Sequence, residues 1–138
     1  MHRKPEVCIL PVAGLSTRNL PATKVLHKGF LTLNNLPIIQ YAINACAEIG
    51  IKDVVFVYSD QSCKHLFETY FSPNAWLEKH LEEKGKTDLL KAVRGVIPEV
   101  MNFHFAEQSE PKGNGHAVLM AKDIVGKRDF VVMWPDDV

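Results

Sequence analysis

The segment VCILPVAGLSTRNLPATKVLHK (residues 7–28) joins an apolar run to a loop rich in basic residues. Its first residues, VCILPVA, are almost continuously apolar without alternation, which is typical of a strand buried on both faces. Pro11 lacks the N–H that a sheet ladder needs, so we expect the strand to end near it. The loop that follows contains Arg18, Lys24 and Lys28. A phosphate-binding loop and an ordinary basic surface turn both fit this pattern.

The residues after the loop complete a β-α-β unit. Apolar side chains recur at helical spacing over residues 37–49, with Pro37 in the first turn and Gly50 as a stop signal. Residues 52–59 form a second continuous apolar run, which indicates another buried strand. A strand, a helix and a strand in this order predict a parallel sheet.

The rest of the chain continues the alternation of helices and strands. We expect a helix, a charged amphipathic helical region, a strand, a helix and a last strand over residues 65–71, 76–96, 102–108, 113–125 and 129–138. The simplest interpretation of the charged region is that its charged residues form a solvent-exposed helix face. We expect the helical region to be interrupted near Gly85. The whole pattern predicts an α/β fold with a Rossmann-like, open, mainly parallel sheet and helices on both faces. Because no helix follows the last strand, we expect residues 1–138 to be the N-terminal part of a larger domain.

Composition excludes several classes of partner. The formal net charge of this 138-residue chain is +0, so no overall field attracts nucleic acid or an anionic membrane, and we expect neither partner. No apolar stretch approaches the ~20 residues that cross a bilayer, and the first residues do not resemble a signal peptide. The three cysteines form no CxxC pair, which suits a reducing compartment, so we expect a cytoplasmic protein.

Three segments would lie where the parallel strands end, the edge at which open α/β sheets bind ligands. The basic loop offers backbone N–H groups around Ala13 and Gly14 to a phosphate. Gln108 carries an amide that can read a base edge, and Gly113 lets a ligand approach the backbone closely. Asp136 follows the last strand and offers a carboxylate to Mg²⁺. Cations, an amide and a carboxylate at one edge together predict a nucleotide site.

Each of these residues also has an ordinary structural explanation. A single surface cation, glycine or amide is common, and Asp136 and Asp137 also suit a turn after a strand. Other motifs are absent from the sequence: it has no GxxxxGK[ST], no GxGxxG after the first strand and no HExxH. We interpret His116, at a helix entrance, as a structural hydrogen-bonding or capping group and not as a base.

The loop resembles the signature of the sugar-phosphate nucleotidylyltransferases, which runs roughly A-G-x-G-T-R-x-x-P-x-T-K-x-x-P-K. Within that family the chain is most similar to the bacterial uridylyltransferases that act on UTP and glucose 1-phosphate. The matching segments are PVAGLSTRNLPATK (11–24), LPIIQYAINACAEIGI (36–51), LEKHLEEKGKTDLL (77–90) and KGNGHAVLMA (112–121). The third segment is a charged helical insertion that indicates the subfamily. The resemblance implies a GT-A-like nucleotidyltransferase fold, of which this chain is the nucleotide-binding part.

The activity that the resemblance implies is transfer of UMP from UTP to glucose 1-phosphate, giving UDP-glucose and pyrophosphate. The implied cofactor is Mg²⁺, and the implied assembly is a homo-oligomer, a dimer or a tetramer. Arg18 would hold the departing β- and γ-phosphates, and Lys28 would neutralise charge at the α-phosphate. Lys24 also matches the motif, either as a phosphate contact or as a brace for the loop.

The remaining motif positions would bind the nucleotide and the metal. Ala13 and Gly14 would lie against the nucleotide, and Gln108 with the backbone of Gly113 would read uracil. Asp136 would hold Mg²⁺, and Asp137 is a weaker second candidate ligand. The sugar pocket would lie beyond the chain.

Several residues depart from the family pattern. Ser16 replaces the second glycine of the motif, where a positive φ would cost about 1 kcal/mol. His27 replaces the proline before Lys28, so we expect a freer backbone there. Gly29 replaces a glutamate and Thr32 replaces a proline, so we expect a looser segment KGFLTL (28–33), and Ser109 replaces the glycine after Gln108. These departures leave open a degenerate homologue that binds nucleotide without catalysis. A related transferase for another sugar or base is also left open.

Overall fold

The computed structural model describes residues 3–136. In this part of the chain the strands are β1 (Val7–Pro11), β2 (Thr32–Leu33), β3 (Leu36–Pro37), β4 (Asp53–Tyr58), β5 (Asn102–Glu107) and β6 (Phe130–Val132). The helices are α1 (Ile38–Glu48), α2 (Gln61–Tyr70), α3 (Ala75–Glu83), α4 (Thr87–Arg94), α5 (Asn114–Met120) and α6 (Lys122–Val125). Among residues 3–136, no helix has the length and apolarity needed to cross a bilayer.

The main sheet has four parallel strands in the order β5-β4-β1-β6. The first strand therefore lies inside the sheet, where Ile9 pairs with Val55 on one side and with Val132 on the other. Strand β1 ends at Pro11, as its missing N–H predicts. The expectation of an open, mainly parallel sheet is confirmed.

Helices cover both faces of this sheet, which is also as expected. Cys8 and Leu10 point from β1 into a core that includes residues of α1 and α2. Val7 and Ile9 point the other way, against α5 and α6. These four strand residues are at most 1% exposed, and each buried aliphatic side chain stabilises the fold by about 1.5–3 kcal/mol. Burial on both faces explains why the sequence of β1 does not alternate.

Glycines end or divide the helices where the sequence predicts it. Gly50 follows α1 with φ 83°, and Gly85 separates α3 from α4 with φ 64°. The expected helix over residues 113–125 differs in one respect, since it is divided at Ala121 into α5 and α6. The last strand is also shorter than expected, because its regular pairing ends at Val132.

A small hairpin, β2–β3, was not expected from the sequence. Thr32 pairs with Pro37, and Leu33 pairs with Leu36. The two residues between the strands, Asn34 and Asn35, have φ of 53° and 62°. Asparagine tolerates this left-handed conformation, and two such residues in a row are typical of a tight hairpin turn.

Candidate active site

A cavity of about 290 Å³ opens at the carboxyl ends of the main strands. This volume is near the lower end of the range for small-molecule sites. Six of the eight site residues expected from the sequence line it: Ala13, Gly14, Lys28, Gln108, Gly113 and Asp136. The other lining residues are Pro11, Val12, Pro111, Asn114, Ala117 and Trp134. The structure thus brings most of the expected site together in one place, although the residues come from distant parts of the chain.

Lys28 and Asp136 form an ion pair in this cavity. The Nζ of Lys28 lies 2.9 Å from Oδ2 of Asp136, and the two side chains are 31% and 46% exposed. The hydrogen bond from Lys28 lowers the pKa of Asp136 below its usual range, and the charge of Arg18 adds a smaller effect. Asp136 is therefore ionised at neutral pH. An ionised carboxylate is a type of ligand that Mg²⁺ takes in proteins.

His27 fixes the backbone just before Lys28. Its Nε2 lies 2.7 Å from the carbonyl oxygen of Val12, and its Nδ1 accepts a hydrogen bond of 3.0 Å from the N–H of Gly29. Only a neutral ring with its proton on Nε2 can make both bonds. Burial is the largest cause that lowers the pKa of His27, and Lys28 adds to it, which favours this neutral form.

The expectation that His27 leaves the backbone before Lys28 free is therefore wrong. Two hydrogen bonds of the His27 ring tie the loop to the end of β1, while the ring packs edge-on against Phe67 of α2. The restraint comes from side-chain contacts and not from a pyrrolidine ring. No local sequence pattern indicates that a histidine at this position would reach back to Val12.

Ser16 has the left-handed conformation that the family glycine suggested, with φ 55° and ψ 41°. Its Oγ is sealed from solvent and has no hydrogen-bond partner among residues 3–136. Its carbonyl oxygen accepts a hydrogen bond of 2.8 Å from Thr23 Oγ1. The left-handed conformation costs an L-residue about 1–2 kcal/mol. The hydroxyl thus adds an unsatisfied polar group to a strained position.

Arg18 and Lys24 do not line the cavity. Arg18 lies on a short helical turn (Thr17–Asn19), and Lys24 lies on the next one (Ala22–Lys24). Both side chains are exposed. Arg18 is close enough for its charge to act on Asp136, and Thr23 braces the loop through its hydrogen bond to Ser16. The phosphate-binding roles of Arg18 and Lys24 remain predictions.

Gln108 and Gly113 form the other end of the cavity. Gln108 is 6% exposed, and its Nε2 donates to the carbonyl oxygen of Gly113 at 3.1 Å. The same nitrogen lies 3.0 Å from Nδ1 of His116. Gly113 has φ 94° and ψ 177°, a conformation open essentially to glycine alone. The interpretation of His116 as a structural hydrogen-bonding group is confirmed, and its partner is a predicted base-reading residue.

A metal site at Asp136 would rest on few protein ligands. Within residues 3–136, no group of three or more His, Cys, Asp or Glu side chains is arranged to hold a metal ion. Asp137, the second candidate ligand, lies outside the described residues. Mg²⁺ commonly takes one or two carboxylates together with substrate phosphates and water. One ionised carboxylate facing the cavity fits that mode of binding.

The fold and the site together define a class of protein. An open parallel sheet whose inner strand leads into a basic loop, with an amide and a carboxylate at the same edge, is typical of nucleotide-binding α/β domains. The chain belongs to the nucleotidyl transferase family, whose model matches residues 7–138.

Two curated enzymes are similar to this chain over nearly all of its length. It is 45% identical over 128 residues to a UTP–glucose-1-phosphate uridylyltransferase from Haemophilus ducreyi, covering 93% of this chain and 43% of that protein. It is 41% identical over 136 residues to the enzyme of the same name from Bacillus subtilis, covering 99% of this chain and 46% of that protein. The chain thus spans less than half the length of these relatives.

Solved structures agree with this relationship. A UTP-bound UGPase from Acinetobacter baumannii superposes with a TM-score of 0.88 at 41% identity, over 96% of this chain and 46% of that one. A UDP-glucose pyrophosphorylase complexed with UDP-glucose gives a TM-score of 0.78 at 32% identity, over 96% and 46% of the two chains.

Proposed function

We propose that this chain forms the nucleotide-binding part of an enzyme that transfers UMP from UTP to glucose 1-phosphate. One observation carries the proposal: six residues that the family resemblance marks for nucleotide binding, catalysis or metal binding line a single cavity. The ion pair of Lys28 with Asp136 lies in it, beside the residues proposed to bind the nucleotide. The names of the similar enzymes support the choice of UTP and glucose 1-phosphate.

In the proposed reaction, a phosphate oxygen of glucose 1-phosphate attacks the α-phosphorus of UTP. The bond from that phosphorus to the oxygen bridging to the β-phosphate breaks, and pyrophosphate leaves with that oxygen. Such a step needs alignment and charge neutralisation more than covalent help from the protein. Lys28 provides a fixed positive charge that we assign to the α-phosphate, where charge accumulates in the transition state. Arg18 would hold the β- and γ-phosphates.

The rest of the nucleotide and the metal ion would contact other residues of the site. The backbone at Ala13 and Gly14 would lie against the nucleotide, with Lys24 as a further candidate for the phosphates. Asp136 would hold Mg²⁺, which supplies charge neutralisation and orientation of phosphate oxygens when bound. Lys28 would then leave Asp136 and pair with phosphate, so that each member of the ion pair gains a partner of opposite charge.

The test is pyrophosphate release by the complete gene product. Given UTP, glucose 1-phosphate and Mg²⁺, it should release pyrophosphate in step with formation of UDP-glucose. Release that depends on another sugar phosphate or another nucleotide would favour a related transferase.

A nucleotide-binding homologue without catalysis is the second candidate. The strained, unsatisfied Ser16 favours it, because a crowded loop could still bind UTP without aligning its α-phosphate. Binding of UTP with no release of pyrophosphate, for any sugar phosphate offered, would support this candidate and overturn the first one.

A further inference from the structure

We infer that His116 is a positioning residue that makes Gln108 a pure hydrogen-bond acceptor toward the cavity. A pure acceptor selects nucleobases that carry a ring N–H at the facing position, and so selects uracil over cytosine. The inference rests on the proposed function in one respect, since it takes the ligand to be a pyrimidine nucleotide.

The orientation of the Gln108 amide follows from the chemistry of its neighbour. The carbonyl oxygen of Gly113 can only accept a hydrogen bond, so the amide atom 3.1 Å from it must be the nitrogen. If the amide were reversed, two oxygens would face each other. A carbonyl partner therefore settles an assignment that is otherwise ambiguous for glutamine side chains.

His116 engages the second hydrogen of the same nitrogen. Its Nδ1 lies 3.0 Å from Nε2 of Gln108, a contact that is a hydrogen bond only if Nδ1 carries a lone pair. The ring proton then resides on Nε2 of His116. With Gly113 and His116 both in place, the amide has no donor left to offer a ligand.

The oxygen of the Gln108 amide is the remaining polar atom. It makes no hydrogen bond to residues 3–136, yet it is not among the partnerless atoms that are sealed from solvent. Since Gln108 lines the cavity, this oxygen is open to a ligand there. Gly113 carries no Cβ, and the space around its Cβ position is empty to 4 Å, so a flat base can approach.

We assign N3 of the base to this oxygen, and the two pyrimidines differ at that atom. Uracil has a hydrogen on N3, whereas N3 of cytosine carries a lone pair. Uracil would complete the hydrogen bonding of Gln108, while cytosine would set two acceptors against each other. Sites built to pair with a specific polar group reject the analogue that lacks it, because the protein group is left unpaired. We expect a preference for UTP over CTP of about tenfold to hundredfold.

If Nδ1 of His116 is removed, one N–H of Gln108 becomes free to donate a hydrogen bond to the ligand, and the amide can rotate. The preference for UTP over CTP should then disappear, even if the protein still binds both nucleotides. A change in the ratio of the affinities for UTP and CTP distinguishes this role from a general loss of folding. A loss of folding would weaken the binding of both nucleotides alike.

The experiment measures dissociation constants of UTP and CTP for the complete gene product by titration calorimetry. His116→Leu should reduce the UTP preference to about one- to threefold. His116→Asn can present an amide oxygen near the position of Nδ1 and should restore most of it. His65→Leu, a change at an exposed histidine of α2, is the matched control and should leave the preference unaltered.

An unchanged preference in His116→Leu would overturn the inference while leaving the proposed function intact. If His116→Leu does not fold, Gln108→Met decides, because loss of the acceptor itself should abolish the preference. A Gln108→Met protein that still favours UTP would overturn the inference equally. Failure of the unaltered protein to bind UTP at all would instead contradict the proposed function.

Discussion

The ring of His27 fills the space that a side chain on residue 29 would need. A Cβ built on Gly29 would lie 3.2 Å from Nδ1 of His27 and 3.4 Å from the Phe67 ring. The ring cannot easily move aside, because Val12 and Gly29 hold its two nitrogens. The two departures from the family motif around Lys28 are therefore one structural arrangement.

Gly29→Ala should lower the free energy of unfolding by about 1–2 kcal/mol, since added volume in a packed site forces a shift of its neighbours. Chemical denaturation of the variant measures this loss. In a His27→Ala background, Gly29→Ala should lower the free energy of unfolding by clearly less, because the obstructing ring is absent.

The matched control is Gly115→Ala. Gly115 lies in α5, and nothing stands within 4 Å of its Cβ position. This variant should be neutral or slightly more stable, as alanine favours helix. Equal costs of Gly29→Ala with and without His27 would contradict the coupling.

Lys28→Ala should reduce kcat by about 100- to 1000-fold, the range for losing one group that stabilises transition-state charge. Its stability should change by at most about 1 kcal/mol, because a partly exposed ion pair contributes little. Lys79→Ala removes a more exposed pair with Glu83 on α3 and serves as the control. Steady-state assays and denaturation curves together separate catalysis from folding. Unchanged turnover would remove Lys28 from the mechanism.

Ser16→Gly should raise the free energy of unfolding by about 1 kcal/mol. Glycine relieves left-handed strain of about 1–2 kcal/mol, partly offset by its greater freedom in the unfolded chain. Ser16→Ala removes the unsatisfied hydroxyl but keeps the strain, so the pair of variants separates the two effects in urea titrations. A loss of stability in Ser16→Gly would mean that the hydroxyl has a stabilising partner.

Asp53 makes stability depend on pH at the opposite edge of the sheet. Its Oδ1 contacts His104 Nε2 at 2.8 Å, and its Oδ2 accepts from Arg128 Nη1 at 2.8 Å. The His104 hydrogen bond, followed by that from Arg128, lowers the pKa of Asp53 below its ordinary value of 3.8. A carboxyl group whose pKa is lowered by folding contributes its full stabilisation at pH values above its ordinary pKa of 3.8. This contribution is lost as the pH falls through the lower pKa of the folded state.

Asp53→Asn should therefore cost about 1.5–3 kcal/mol at pH 7, the range for hydrogen bonds to charged groups. The difference from the unaltered protein should shrink as pH is lowered below 3.8 in a series of denaturation curves. Asp123→Asn changes an exposed carboxylate of α6 and should show neither effect. A cost that is independent of pH would assign the effect to packing and not to charge.

The sequence predicts those parts of the fold that depend on local pattern. The unbroken apolar run of β1 and the glycines at positions 50 and 85 act within a few residues, so their consequences can be read locally. The hairpin β2–β3 could also have been found, because Asn34-Asn35 between two leucines is a recognisable turn signal. Its strands have only two residues each, which is too short for an apolar pattern to indicate them.

The candidate site depends on contacts that no local pattern contains. Family motif positions identified Lys28 and Asp136, but their meeting depends on β6 pairing with β1. The role of His27 could not be predicted, since its hydrogen-bonding partner Val12 lies 15 positions away. His116 was expected to make hydrogen bonds, yet only the structure identifies Gln108 as the residue that it holds.

The hydrogen bond between His27 and Val12 closes the basic loop at its neck. Both ends of the loop are thereby fixed to the inner strand of the sheet, whereas Leu15 and Val25 between them are 82% and 90% exposed. A loop tied in this way cannot swing as a lid about one hinge. We expect any adjustment to a bound nucleotide to be a change of curvature between two fixed points, which would carry Arg18 toward the phosphates while the backbone of Lys28 keeps its place.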